Sequence, residues 1–287
     1  MSRNLAHPAT ALALVLALGA ASPAFAGWPF GGDKPKPAAP AAAAQAQAAS
    51  AKPEGPHKAS AEERAQAGRL DPLSRSVFWA HETEIDPTDA HANIELASAL
   101  RALGKYDEAI QAAGRVLVVE PKNMDALLET GRAHIAKGQG FYAIDPLRRA
   151  QALNPRDWRT ASLLGVAYDQ AKRPDEALAA FNQALSFSPN NPAVLSNLAM
   201  FQAAHGRPAE AESLLRRAVA QPNATAQERQ NLALVLGLEG KVAEAERLIR
   251  EDLPPEVADA NVAYLKAASA SGRGWSGQLA GAPVSNP

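Results

Sequence analysis

The sequence contains no cysteine, which excludes disulfide frameworks, thiolate metal sites and thiol nucleophiles together. Aromatic residues are scarce, at 5% against an apolar total of 47%. Alanine makes up much of the difference, which favours closely spaced helices over a sheet of bulky β-branched residues. Neither sign of charge dominates: 29 Lys and Arg face 30 Asp and Glu. No basic stripe or long like-charge run marks a nucleic-acid binder. Only one long apolar run occurs, Ala11 to Ala20, and at 10 residues it is half the roughly 20 that a membrane-crossing helix needs.

That run belongs to an export pattern. Met1 to Thr10 carries one cation, Arg3, and Ala21-Ser22-Pro23-Ala24-Phe25-Ala26 follows the run with small residues at both positions of an A-x-A cleavage site. Residues 1–26 are therefore read as a cleavable signal peptide, the alternative being an uncleaved anchor. No cysteine stands at the cleavage site to accept lipid. The expectation is a mature chain soluble outside the cytoplasmic membrane, with no transmembrane segment. Residues 27–58 are rich in Ala, Pro and Lys, and five prolines from Pro35 to Pro56 block a continuous helix. They read as a disordered spacer. A sharper alternative is a tether whose Lys34, Lys36, Lys52 and Lys58 contact anionic cell-wall polymer.

The organising signal is a period. Ala109, Ala143, Ala177, Ala211 and Ala245 recur every 34 residues (143 − 109 = 34), with Ala97, Gly131, Gly165, Ala199 and Ala233 in step ahead of them. Between the two series fall Gly104, Gly138, Gly206 and Gly240, Lys172 being the one departure; Pro87, Pro121, Pro155 and Pro189 close the units. Small residues locked to one register at this period mark a solenoid of helical hairpins. In the unit from Trp158 to Asn191, Leu163, Leu164, Ala167 and Tyr168 form one apolar face, and Ala177, Leu178, Phe181, Ala184 and Leu185 form another. Gly165 and Ala177 would lie at the crossing of two antiparallel helices, with Tyr168 and Phe181 filling the space beside it. The division expected is capping helices at 59–89, five repeats at 90–254, a closing helix at 255–270 and a disordered tail at 271–287.

The pattern resembles the tetratricopeptide repeat, most fully in Gly165-x-x-Tyr168, Ala177, Phe181, Ala184 and Pro189. The resemblance implies an all-α, right-handed superhelical solenoid that binds protein or peptide partners rather than catalysing a reaction. Longer stretches, Gly138 to Arg149, Arg229 to Gly240, Asp252 to Pro255 and Ala260 to Leu265, are similar to the TadD-type proteins of the tight-adherence (Flp) pilus system. That implies a periplasmic scaffold for pilus or secretion machinery, with a secretin or platform component as partner. The missing lipid-accepting cysteine departs from many TadD proteins. An adaptor recruiting cell-wall enzymes is the alternative.

In such solenoids the first helix of each unit lines the inner groove. This places Glu95, Arg101, Arg132, Arg159, Asp169, Asn197, Met200, Asn231 and Leu234 on that face. Asn197 and Asn231, 34 apart, occupy a position at which related proteins hold a ligand's backbone with an amide; the alternative is a helix segment common in such repeats. Pro146 lies where the second helix of its unit should run. Either that helix kinks, or it starts late with Asp145 as cap and Pro146 at its first position, leaving Phe141 and Tyr142 as exposed anchors. Alternatively both rings pack between units.

Catalytic and cofactor patterns are missing. The six histidines include no pair at metal-ligand spacing, and His81-Glu82-Thr83-Glu84 lacks the second His of a zinc helix. Gly138-Gln139-Gly140 has no preceding strand and no GKS or GKT ending, and Gly274-Trp275-Ser276-Gly277 misses the nucleophile-elbow spacing. The expectation is no enzyme, no cofactor, no metal and no nucleic acid.

Overall fold

A computed structural model describes residues 57–270. The signal segment 1–26, the spacer up to residue 56 and the tail 271–287 lie outside the described residues. Thirteen α-helices and no strand make up the described chain. Two helices lead: α1 (Ala61–Ala67) and α2 (Pro72–Ile85). Five hairpins follow: α3 (Ala90–Ala102) with α4 (Tyr106–Val119), α5 (Met124–Ala136) with α6 (Gly140–Leu153), α7 (Trp158–Gln170) with α8 (Pro174–Phe187), α9 (Pro192–Ala204) with α10 (Pro208–Val219), and α11 (Ala226–Leu238) with α12 (Val242–Asp252). The last element is α13 (Pro255–Ala270).

The start of each first helix is written at one register. Asp89, Asn123, Asp157, Asn191 and Thr225 stand at the N-caps, and each side chain accepts a backbone N–H from the first turn. Each such cap is worth about 1 kcal/mol. Second helices have no side-chain cap; two of them open on proline, Pro174 and Pro208, whose missing N–H would be unsatisfied there in any case. The turn between the helices of a pair needs one left-handed residue. Glycine supplies it at four turns, and at the fifth Lys172 adopts φ 61°, a conformation that costs an L-residue about 1–2 kcal/mol.

Packing explains the small residues. A Cβ on Gly165 would lie 2.6 Å from the Phe181 ring, and one on Gly131 2.6 Å from Leu147. The same register pairs Ala97 with Ala113, Ala199 with Leu215 and Ala233 with Ile249 inside shared buried clusters. Space left by the first helix is thus taken by the second. Ala109, Ala143, Ala177, Ala211 and Ala245 are all fully buried. Phe181 is buried too, whereas Tyr168 is half-buried, with the Arg173 guanidinium 4.8 Å from its ring centroid.

The helix α6 departs from one sequence expectation. It runs unbroken from Gly140 to Leu153 with Pro146 inside it, so Asp145 is not a cap and the late start does not occur. Ile144, Pro146, Leu147 and Ala150 are all buried, and that packing offsets the backbone hydrogen bond that Pro146 cannot donate. Phe141 and Tyr142 do not pack between units. They are 69% and 61% exposed, joined edge to face, with Tyr142 stacked on His134 at 5.8 Å.

Candidate partner-binding groove

Successive first helices touch across every unit boundary, from α3 to α5 and onward to α13; successive second helices share no comparable contact among the described residues. A stack held closer along one side bends toward that side. The first helices therefore line the inner face of a curved ribbon, and their side chains compose the groove.

The N-terminal half of this face is built on charge. The carboxylate of Glu129, 3% exposed, accepts from Arg101 Nε at 2.5 Å and lies 3.5 Å from Arg132 Nη1. Arg159 bonds the buried cap Asp157, Nε to Oδ1 at 3.1 Å, and that hydrogen bond lifts its pKa above the ordinary value. Burial pushes Arg132 below its ordinary pKa; Glu129 opposes this, while Arg101 and Arg159 add to it. Arg101 and Arg132 thus share Glu129, and Arg159 holds Asp157 with Asp125 also acting on it, so the groove's centre is lined by paired charges. Farther along, burial raises the carboxyl of Asp169, whose Oδ1 sits 3.5 Å from His205 Nε2.

The C-terminal half is built on amides. Asn197 Nδ2 donates to Ser162 Oγ at 3.1 Å, and Asn231 Nδ2 donates to Ser196 Oγ at 2.8 Å. Each bond joins one first helix to the next. Asn231 Oδ1 also accepts from Gln227 at 3.1 Å.

Family models of the tetratricopeptide repeat match residues 94–140, 143–192 and 170–232. The chain carries tetratricopeptide repeats. Among solved structures, a tetratricopeptide protein of Thermus thermophilus, TTC0263, is 22% identical over 62% of this chain and 99% of its own, with a TM-score of 0.57. MamA from Desulfovibrio magneticus RS-1 is 21% identical over 54% of this chain and 90% of its own, at 0.46. YrrB, described as a tetratricopeptide protein with an unusual peptide-binding site, is 17% identical over 64% and 96%, at 0.40. These are likenesses of fold. No curated protein matches the chain.

The tetratricopeptide frame sorts the residues singled out in the sequence. Glu95, Arg101, Arg132, Arg159 and Asp169 are half-buried on first helices. Asn197, at 2% exposure, and Asn231, at 0%, are interior. This corrects their reading as ligand-holding amides, because each amide is committed to a serine one unit back. Met200 is likewise core, packed in the cluster with Leu232 and Leu236. Leu234 is buried but forms one wall of a cleft against α13. Sequence reasoning missed Glu129, Ser162 and Ser196. The available signal was register: Glu129, Asn197 and Asn231 share one position modulo 34, as do Ser162 and Ser196. Among the described residues no cluster of His, Asp and Glu could hold a metal, and no helix is long and apolar enough to cross a membrane.

Proposed function

We propose that the chain is a protein-binding scaffold of the cell envelope that supports assembly of tight-adherence pilus machinery. The observation that carries the scaffold reading is the row of first helices along one inner face, with Arg101, Arg132 and Arg159 half-buried at its centre. Polar side chains held in place by a repeat frame can engage an extended segment of a partner without reorganising, which lowers the cost of binding. The narrower reading is supported by the residue runs from Gly138 to Arg149 and from Arg229 to Gly240, and by the export pattern in residues 1–26. In this reading the mature chain works in the periplasm and holds a secretin or platform component.

Capture from envelope extracts with the mature chain as bait tests this directly. Recovery of pilus secretin or platform proteins, with loss of surface pili when the gene is deleted, is the expected outcome. Recovery of peptidoglycan enzymes, with normal piliation in the deletion strain, would overturn the pilus reading in favour of the cell-wall adaptor.

A further inference from the structure

The register that ties neighbouring first helices together has an unanswered member at its N-terminal end. Glu95 precedes Glu129 by one unit (129 − 95 = 34), and Asn197 and Asn231 continue the same series. Glu129 is answered from the preceding first helix by Arg101, and the two asparagines by Ser162 and Ser196. One unit earlier, Ala67 stands where Arg101 stood, Ser60 where the serines stood, and Ser98 where Arg132 stood. Ala67 has no group to bond, and the Ser60 hydroxyl is engaged with Glu63 at 2.8 Å. Glu95 is half-buried and forms neither a hydrogen bond nor an ion pair among the described residues. It lines an open cleft of about 430 Å³ instead, opposite Ala61, Arg64, Ala65 and Gly68, with Trp79 and His91 beside it.

The cleft exists because the leading helix is short and small-sided. Helix α1 has 7 residues, where each first helix of the five repeats has 13. Ala61, Ala65 and Gly68 then leave the space beside α3 open. A single water needs only about 10–15 Å³, so a whole side chain fits. The cations nearby are already spent. Arg64 pairs with Glu82 and, at 2.8 Å, with Asp89, while Lys58 holds Asp86 at 3.0 Å and Asp89 at 2.7 Å. An anion entering the cleft would meet the Glu95 carboxylate as a like charge, whereas a cation would gain a charge-assisted hydrogen bond, about twice as strong as a neutral one.

We propose that the cleft between α1 and α3 receives an arginine side chain of a partner polypeptide, whose guanidinium donates to Glu95 as Arg101 donates to Glu129. The chain's own pair supplies the template: the same register, the same carboxylate, and a guanidinium arriving from the side of the preceding unit, with Nε 2.5 Å from the acceptor oxygen. A guanidinium suits the place better than an ammonium, because its planar fork can meet both carboxylate oxygens at once. The proposal rests on the reading of the chain as a protein-binding scaffold and names the chemistry that binds at the N-terminal mouth of the groove.

The test uses the blocked tripeptide acetyl-Ala-Arg-Ala-amide, titrated at low salt into the isotopically labelled chain while backbone amide resonances are followed by NMR. The signals of Gly68 and Glu95 should shift and saturate. The same peptide with citrulline in place of arginine keeps the shape without the charge, and should bind at least about fivefold more weakly. Glu95→Gln should weaken the arginine peptide by a similar factor and leave the melting temperature of the free chain unchanged, since no bond within the chain is lost. Ala65→Arg, at an exposed position on the same cleft, brings a guanidinium from the chain itself and should block the peptide. Equal binding of the citrulline peptide, full binding by either variant, or a lower melting temperature for Glu95→Gln would each overturn the proposal. Capture from envelope extracts is read separately: a partner recovered as well by Glu95→Gln as by the unchanged chain would remove the cleft and leave the scaffold reading in place.

Discussion

The two halves of the groove solve one problem with different chemistry. At one register the first half has Glu129 and the second has Asn197 and Asn231; three residues on, the first half has Arg132 and the second has Met200 and Leu234. All of these positions point between neighbouring first helices, and all the acceptors and donors there must be answered. A buried carboxylate answered by two arginines ties neighbouring units through charge. An asparagine answered by a serine does it with one neutral bond. The comparison teaches that a repeat position is specified by burial and geometry, whereas its chemistry is free to change provided that a partner changes with it. In the first half the paired guanidinium groups of Arg101, Arg132 and Arg159 remain half-exposed. In the second half the Asn197 and Asn231 amides are spent on serines of the preceding unit.

Removing charge should therefore hurt more than removing an amide. Glu129→Gln leaves Arg101 and Arg132 without their shared carboxylate and should cost about 3 kcal/mol, the lower range for breaking a buried pair. Chemical denaturation of the variant measures it, and a loss no larger than that of an amide deletion would erase the distinction. Asn231→Ala removes only neutral bonds, those to Ser196 and from Gln227, so about 1–2 kcal/mol is expected in the same assay.

Acid should separate the leading helices from the array before the amide half responds. Asp89 caps α3 and holds Lys58, at 2.7 Å, and Arg64, at 2.8 Å, while Arg64 also pairs with Glu82. Burial works to raise the Asp89 pKa, yet the Lys58 and Ala92 hydrogen bonds and Arg64 together take it well below its ordinary 3.8. A depressed carboxylate contributes stability that is full above its unfolded pKa and is lost as pH falls through the folded one. Hydrogen exchange in α1 and α2 should thus accelerate below about pH 4, the ordinary aspartate range, while the bonds of Asn197 and Asn231, which carry no charge, persist. Uniform acceleration along the chain would contradict the difference between the halves.

The smallest effect lies at the junction. Lys172→Gly places glycine in the one turn that lacks it and should stabilise by up to about 1 kcal/mol, since relief of the left-handed strain is partly offset by glycine's greater freedom when unfolded. A lower melting temperature would mean that the lysine side chain contributes something the turn geometry does not reveal.

Much of the fold was legible because it depends on size and period. The recurrence of Ala109, Ala143, Ala177, Ala211 and Ala245 needs no knowledge of partners, since any larger side chain at a close crossing is excluded whatever surrounds it. Lys172 was visible as a departure, and it is where a non-glycine residue has positive φ. The site was less legible, because polarity does not say whom a group bonds. Asn197 and Asn231 look the same in sequence whether they face a ligand or a serine 35 residues back. Pro146 shows the same limit: its local penalty left a kinked helix and a late start both open, and burial of the stripe around it excluded the late start.

The central claim is that first helices lie on the inside of a curved ribbon and second helices on the outside. The chain has no native cysteine, so spin labels can be placed in pairs without background. One pair joins Asp125→Cys with Ala193→Cys on first helices, and the other joins Val118→Cys with Ser186→Cys on second helices, each spanning 68 residues of sequence. Double electron–electron resonance should give a shorter distance for the first-helix pair than for the second-helix pair. Equal distances, or a shorter one between the second helices, would contradict the account.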